Sequence, residues 1–214
     1  MKIASFVAIA FAAALSFLGG DAYASSMQTI ANSINQVSVG YATTTSSVRA
    51  ETLSANVSYV GNALYHNAFL SAGVGMETAN APAVTVDQKG LAARIGRAFD
   101  IRGMGIAAVP YAQATYDATS MYGKSHGYAG YGAGVNVYVS PLRHTVVMLG
   151  VNGGEMRGDG IYSPEGGFRN VALNLDYAVT SRVHIGATAV NGHYDYAMGG
   201  ATVHQYGVYA GLGF

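Results

Sequence analysis

The stretch Ala129-Gly130-Tyr131-Gly132-Ala133-Gly134-Val135-Asn136-Val137-Tyr138-Val139 decides the fold. Its odd positions carry apolar side chains, and its even positions carry glycine, asparagine or tyrosine. A repeat of two residues is the repeat of a β-strand, whose side chains point alternately to opposite faces. The same alternation runs through Val171, Leu173, Leu175, Tyr177 and Val179, through Val37, Val39 and Tyr41, and through Ala68, Leu70, Ala72, Val74 and Met76. A soluble β-sandwich also alternates, but its outward face carries Lys, Glu and Thr. Here the polar face is made of Gly, Asn and Ser, which suits the inside of a closed sheet whose apolar face meets lipid. Closure is required because lipid offers no water to satisfy a free strand edge.

Composition points the same way. Charged residues make up 10% of the 214 residues and apolar ones 50%, whereas a soluble domain is about one quarter charged. An apolar half and a formal net charge of zero exclude a disordered chain. The absence of Cys excludes disulfide and cysteine-metal scaffolds. Eleven basic residues balance eleven acidic ones, and with no basic block a nucleic-acid surface is not expected.

The chain opens with Met1 and Lys2, then an uncharged run from Ile3 to Leu18, then Gly19-Gly20-Asp21-Ala22-Tyr23-Ala24. A basic residue, an apolar run and a small-x-small ending form a secretory signal, with cleavage expected after Ala24. No later stretch approaches the roughly 20 apolar residues that a membrane helix needs.

Turn chemistry divides the rest into strands near 35–44, 51–60, 65–76, 88–97, 105–118, 127–139, 144–156, 169–179, 183–196 and 203–214. The fold class expected is all-β: a closed antiparallel transmembrane β-barrel of ten strands, with eight as the smaller alternative. Residues 1–24 are the signal, 25–34 a short periplasmic lead-in, and 35–214 the barrel. Short links such as Ser140-Pro141-Leu142-Arg143 and Thr180-Ser181-Arg182 would face one side. Longer loops at 77–87, 119–126 and 157–168 would face the other.

The chain ends Gln205-Tyr206-Gly207-Val208-Tyr209-Ala210-Gly211-Leu212-Gly213-Phe214. In this it resembles bacterial outer-membrane β-barrels, whose last strand alternates apolar residues and finishes on Phe. Over the mature chain the pattern looks closest to small porin-like or opacity-type barrels. The resemblance implies that Gly207, Val208, Ala210, Leu212 and Phe214 form a signal read by the barrel-assembly machinery. It also implies an outer-membrane location among lipid and lipopolysaccharide, and a monomer.

A barrel of this size is narrow. Alternation turns Arg94, Gln113, Thr115, Asn136, Asn152, Asn174, Asp176, Tyr111 and Tyr138 inward, and the first of these, with Gln113, Asn136, Asn174 and Asp176, would line any pore. Tyrosines beside glycines suggest an interlocking fill. Arg94 would pair with Glu77 or Asp117, or tune ion passage. Tyr41, Tyr59, Tyr116, Tyr131, Tyr177 and Tyr206 face outward, where tyrosine anchors at the headgroups.

The best arrangement for chemistry is the last hairpin, where His193-x-Asp195 is expected to face His204 across a turn near Met198 to Ala201. Such a pair could hold a metal or exchange protons, but no serine completes a triad. His126 would have to approach across the mouth, and His144 and His184 are expected at the interface. Arg157-Gly158-Asp159 repeats an adhesion tripeptide and also reads as a turn. No cofactor fingerprint appears. The expectation is a non-enzymatic, porin-like or structural envelope barrel with at most a narrow pore. The alternatives are adhesion through the loops and a rim enzyme acting on lipid A or peptides.

Overall fold

The computed structural model describes residues 23–45, 49–61, 67–81, 84–101, 105–121, 124–158, 166–196 and 199–214. Residues 1–22 of the expected export signal (1–24) lie outside these, as does Asp159 of the Arg-Gly-Asp tripeptide. The described residues begin with helix α1 (Tyr23–Ile34) and continue into strands β1 (Gln36–Thr45), β2 (Arg49–Gly61), β3 (Ala68–Ala81) and β4 (Val84–Arg97). These are followed by β5 (Phe99–Ile101), β6 (Ile106–Met121), β7 (Lys124–Leu142), β8 (Thr145–Gly158), β9 (Gly166–Ala178), β10 (Val183–Tyr196) and β11 (Gly199–Gly213).

Consecutive strands pair antiparallel, and β1 pairs with β11, with Val39 opposite Ala210, to close the ring. β4 pairs directly with β6, and β5 continues that ladder without a shift: Gly96 faces Tyr111 and Phe99 faces Ala108. β4 and β5 are therefore one stave, interrupted beside Arg97. The interruption falls opposite Pro110, whose nitrogen has no hydrogen to give the ladder. The result is a ten-stave antiparallel barrel. Among the described residues no helix is long and apolar enough to cross a membrane.

Two expected loops are instead strand. Ala81 pairs with Val84 and Met121 with Lys124, so 77–87 and 119–126 are hairpin ends joined by two residues. Polar residues there read as loop, yet they pair across strands. Thr78 Oγ1 donates to Asp87 Oδ1 at 2.9 Å, and the Ser120 and Ser125 hydroxyls meet at 2.9 Å. Such cross-strand pairs sustain a hairpin beyond the apolar belt.

The outer wall is the apolar face. Val39, Leu53, Val74, Leu91, Ile95, Val208 and Leu212 are each more than half exposed, a continuous belt that a water-soluble monomer does not carry. The six tyrosines read as outward are exposed as well.

Helix α1 sits in the end of the barrel where β1 begins and β11 ends. Ile30 and Ile34, one helical turn apart, are 1% and 4% exposed and pack with Phe69, Val109, Tyr138 and Val146. The last helical carbonyls, which lack partners in any helix, are satisfied by the barrel. Ser58 Oγ donates to the Ile34 carbonyl, and Gln36 Nε2 donates to that of Ser33 at 2.8 Å. Asn35 then joins β2 through Val60 in both directions, accepting its N–H at 2.6 Å. What the sequence presents as a lead-in is a docked helix, because its isoleucines find an apolar floor inside the barrel.

Candidate functional site

Glycine and tyrosine interlock inside the barrel as their adjacency suggests. Tyr111 lies opposite Gly134 and Tyr209 opposite Gly186. A Cβ on either glycine would run into the tyrosine ring. The rings lie over positions that have no side chain, packed along the inner wall.

Among the described residues the lumen holds adjoining cavities of about 470 Å³ toward α1 and about 430 Å³ toward the far end. Arg94, Thr115, Asp117 and Gln205 border both. The near cavity is lined by Asn136, Tyr138, Asn174, Asp176 and Tyr209. Asn136 Nδ2 donates to the Tyr138 hydroxyl at 3.3 Å, and Thr188 Oγ1 donates to Asn174 Oδ1 at 2.6 Å. The far cavity is lined by Glu77, Gln88, Gln113, Asn152, Asn170 and, at its side, Phe168 and Tyr194.

Arg94 faces the lumen, but among the described residues it pairs with neither Glu77 nor Asp117. Its guanidinium lies over the Tyr111 ring, 5.3 Å from the centroid, and its Nε has no hydrogen-bond partner. Register explains the correction. Arg94 stands beside Ser71 and Gln113, whereas Asp117 stands beside Gly90. At ~3.3 Å per residue, the four residues from Gly90 to Arg94 place the carboxylate about 13 Å farther along the barrel.

His184 is not interfacial. It is fully buried in the lumen wall, and its Nδ1–H donates to Asp176 Oδ1 at 2.8 Å. Tyr209 donates its hydroxyl to the other oxygen, Oδ2, also at 2.8 Å. Three consecutive strands, β9, β10 and β11, thus supply an acid, an imidazole and a phenol. Alternation alone turns all three inward near one end, a signal that was present in the sequence. His144, by contrast, is exposed in the link from β7 to β8 with a φ of 68°, and His126 stands on β7 opposite Thr119.

The last hairpin also departs from expectation. Its link is two residues, from Tyr196 to Gly199, so His193 faces Thr202 and His204 faces Asn191. His204 Nδ1 takes the Asn191 amide at 2.9 Å, while His193 meets Thr202 at 3.1 Å and Asp195 at 3.4 Å. Alternation places His193, Asp195 and His204 on the outer wall with Ile185 and Leu212. Among the described residues no three His, Asp or Glu side chains come together as metal ligands.

Along β11, Val208, Ala210, Leu212 and Phe214 point outward, and the Phe214 ring stacks on Tyr59 at 6.1 Å. Gly207 faces inward against Ala42, where a Cβ would meet that residue's own Cβ at 2.7 Å.

The architecture is that of a small outer-membrane β-barrel. No protein-family model matches the chain, and no curated protein matches it. Among solved structures it is similar to Neisserial surface protein A, at 13% identity over 84% of this chain and 95% of that one, with a TM-score of 0.45. It is similar to the translocator domain of the autotransporter NalP from Neisseria meningitidis, at 13% identity over 84% and 87%, with a TM-score of 0.43. It is also similar to the KdgM porin, at 12% identity over 83% and 99%, with a TM-score of 0.38. The assignment of this barrel rests on its own closed ladder and its apolar outer belt.

Proposed function

We propose that the protein is a structural envelope barrel whose lumen is closed by its own N-terminal helix, with at most a narrow pore. The burial of Ile30 and Ile34 against Val109, Tyr138 and Val146 carries this reading. Cleavage after Ala24 would leave residues 25–34 of this helix on the mature chain. The termini and α1 would then face the periplasm, and the last ten residues would serve the assembly machinery. The reading is non-enzymatic, supported by His193 and His204 each engaging its own cross-strand partner, Thr202 and Asn191.

Planar-bilayer recording tests it. The mature protein is expected to pass little current, and a variant lacking residues 25–34 is expected to open in discrete steps. Large steps from the intact protein, unchanged by removing the helix, would sink the reading.

A further inference from the structure

We propose that the far cavity binds a small organic ammonium ion, a primary amine or diamine. It lies at the opposite end from α1, so the proposal is independent of how the lumen is closed.

Its carboxylates are held in place by their neighbours. Gln205 Nε2 donates to the hydroxyls of Thr44 and Thr52 at 3.4 and 3.3 Å. Those hydroxyls in turn donate to Glu77 Oε2, at 3.5 Å from Thr44 and 2.9 Å from Thr52. Gln88 Nε2 donates to Asp117 Oδ1 at 3.2 Å, and that carboxylate lies over Gly90, where a Cβ would displace it. Neither acid has a cationic partner among the described residues, so Glu77 Oε1 and Asp117 Oδ2 stay available as acceptors.

The opposite wall repeats the preference. Asn170 spends its amide on Asn152 Oδ1 at 3.1 Å, and its own Oδ1 is buried with no donor. On β6, the strand of Asp117, Gln113 lines the cavity with only 9% of its surface exposed, and its side chain has no hydrogen-bond partner among the described residues. A cavity whose spare groups are mainly acceptors, two of them carboxylates, calls for a cation rich in donors. An ammonium supplies three. The stacked rings of Phe168 and Tyr194, with centroids 6.5 Å apart, give an apolar wall for methylenes. A metal ion would need a convergent ligand set, and the described residues have none. Arg94 borders the cavity and repels a cation from going deeper, while Lys124 and His126 lie farther out along β7.

Titration calorimetry of the refolded mature protein with 1,4-diaminobutane at low salt decides the matter. Saturable binding at one site is expected, weakened at least about tenfold by Glu77→Gln or Asp117→Asn. Butane-1,4-diol, of the same length and uncharged, should not bind. Glu51→Gln, on the outer wall, should leave the affinity unchanged. Circular dichroism and heat-modifiable gel mobility confirm that each variant is folded, and if one of the two carboxylate variants is not, the other carries the test. No saturable binding, equal binding by the diol, an equal loss in Glu51→Gln, or displacement of the diamine by stoichiometric magnesium each overturns the proposal.

Discussion

His184 donates to Asp176 at 2.8 Å from a position sealed completely from solvent. Asp176 also takes the Tyr209 hydroxyl, so one carboxylate ties three neighbouring strands together. Removing one member of a buried, hydrogen-bonded pair strands the other. Asp176→Ala is therefore expected to cost about 3 kcal/mol, read as a lower urea midpoint in lipid vesicles. Because the two side chains share one interaction, the loss in the His184→Ala/Asp176→Ala double variant should fall short of the summed single losses. Strict additivity would show that the pair does not act as a unit.

Ile30→Ala empties part of the floor between Val109 and Val146. Large-to-small changes in a core cost about 2 to 4 kcal/mol, and here the cost falls on helix docking more than on the strands. Limited proteolysis is expected to cut within residues 25–34 of the variant while the barrel fragment stays intact. Undiminished protection would mean that the helix is held by something other than Ile30.

Gly134→Val should fail in a way that identifies its cause. Any side chain there meets the Tyr111 ring and the Asn152 Cβ at 2.7 Å, and overpacking costs about 1 to 3 kcal/mol. Adding Tyr111→Ala should recover part of the loss. If the double variant folds no better than Gly134→Val alone, the clash lies elsewhere.

Leu91 is 56% exposed near the middle of β4 on the outer wall. Leu91→Arg is expected to cost about 2 to 4 kcal/mol in vesicles, the cost of a cation on the lipid face near the bilayer midplane. A change below about 0.5 kcal/mol, the scale of an ordinary surface substitution, would place this face away from lipid.

Much of the architecture was legible because a strand's side-chain period is two. Alternation at 129–139 and 171–179 settled which face of each strand is apolar, and the residues read as inward, from Tyr111 to Asp176, all face the lumen. Hairpin ends were less legible. The Thr- and Ser-bearing segments 77–87 and 119–126 have loop-like composition, yet side-chain pairs such as Thr78 with Asp87 keep them in the ladder.

What the sequence determined by itself was the face of each residue, because parity depends only on position along one strand. What only the tertiary structure decided was which residues meet. Opposition across a hairpin depends on link length, and a two-residue link put His193 opposite Thr202 instead of opposite His204. The same dependence separated Arg94 from Asp117 and joined Asp176, His184 and Tyr209 from three strands. The seating of α1 was decided there too, since Ile30 and Ile34 are buried only where the closed ring provides an apolar floor of the right size.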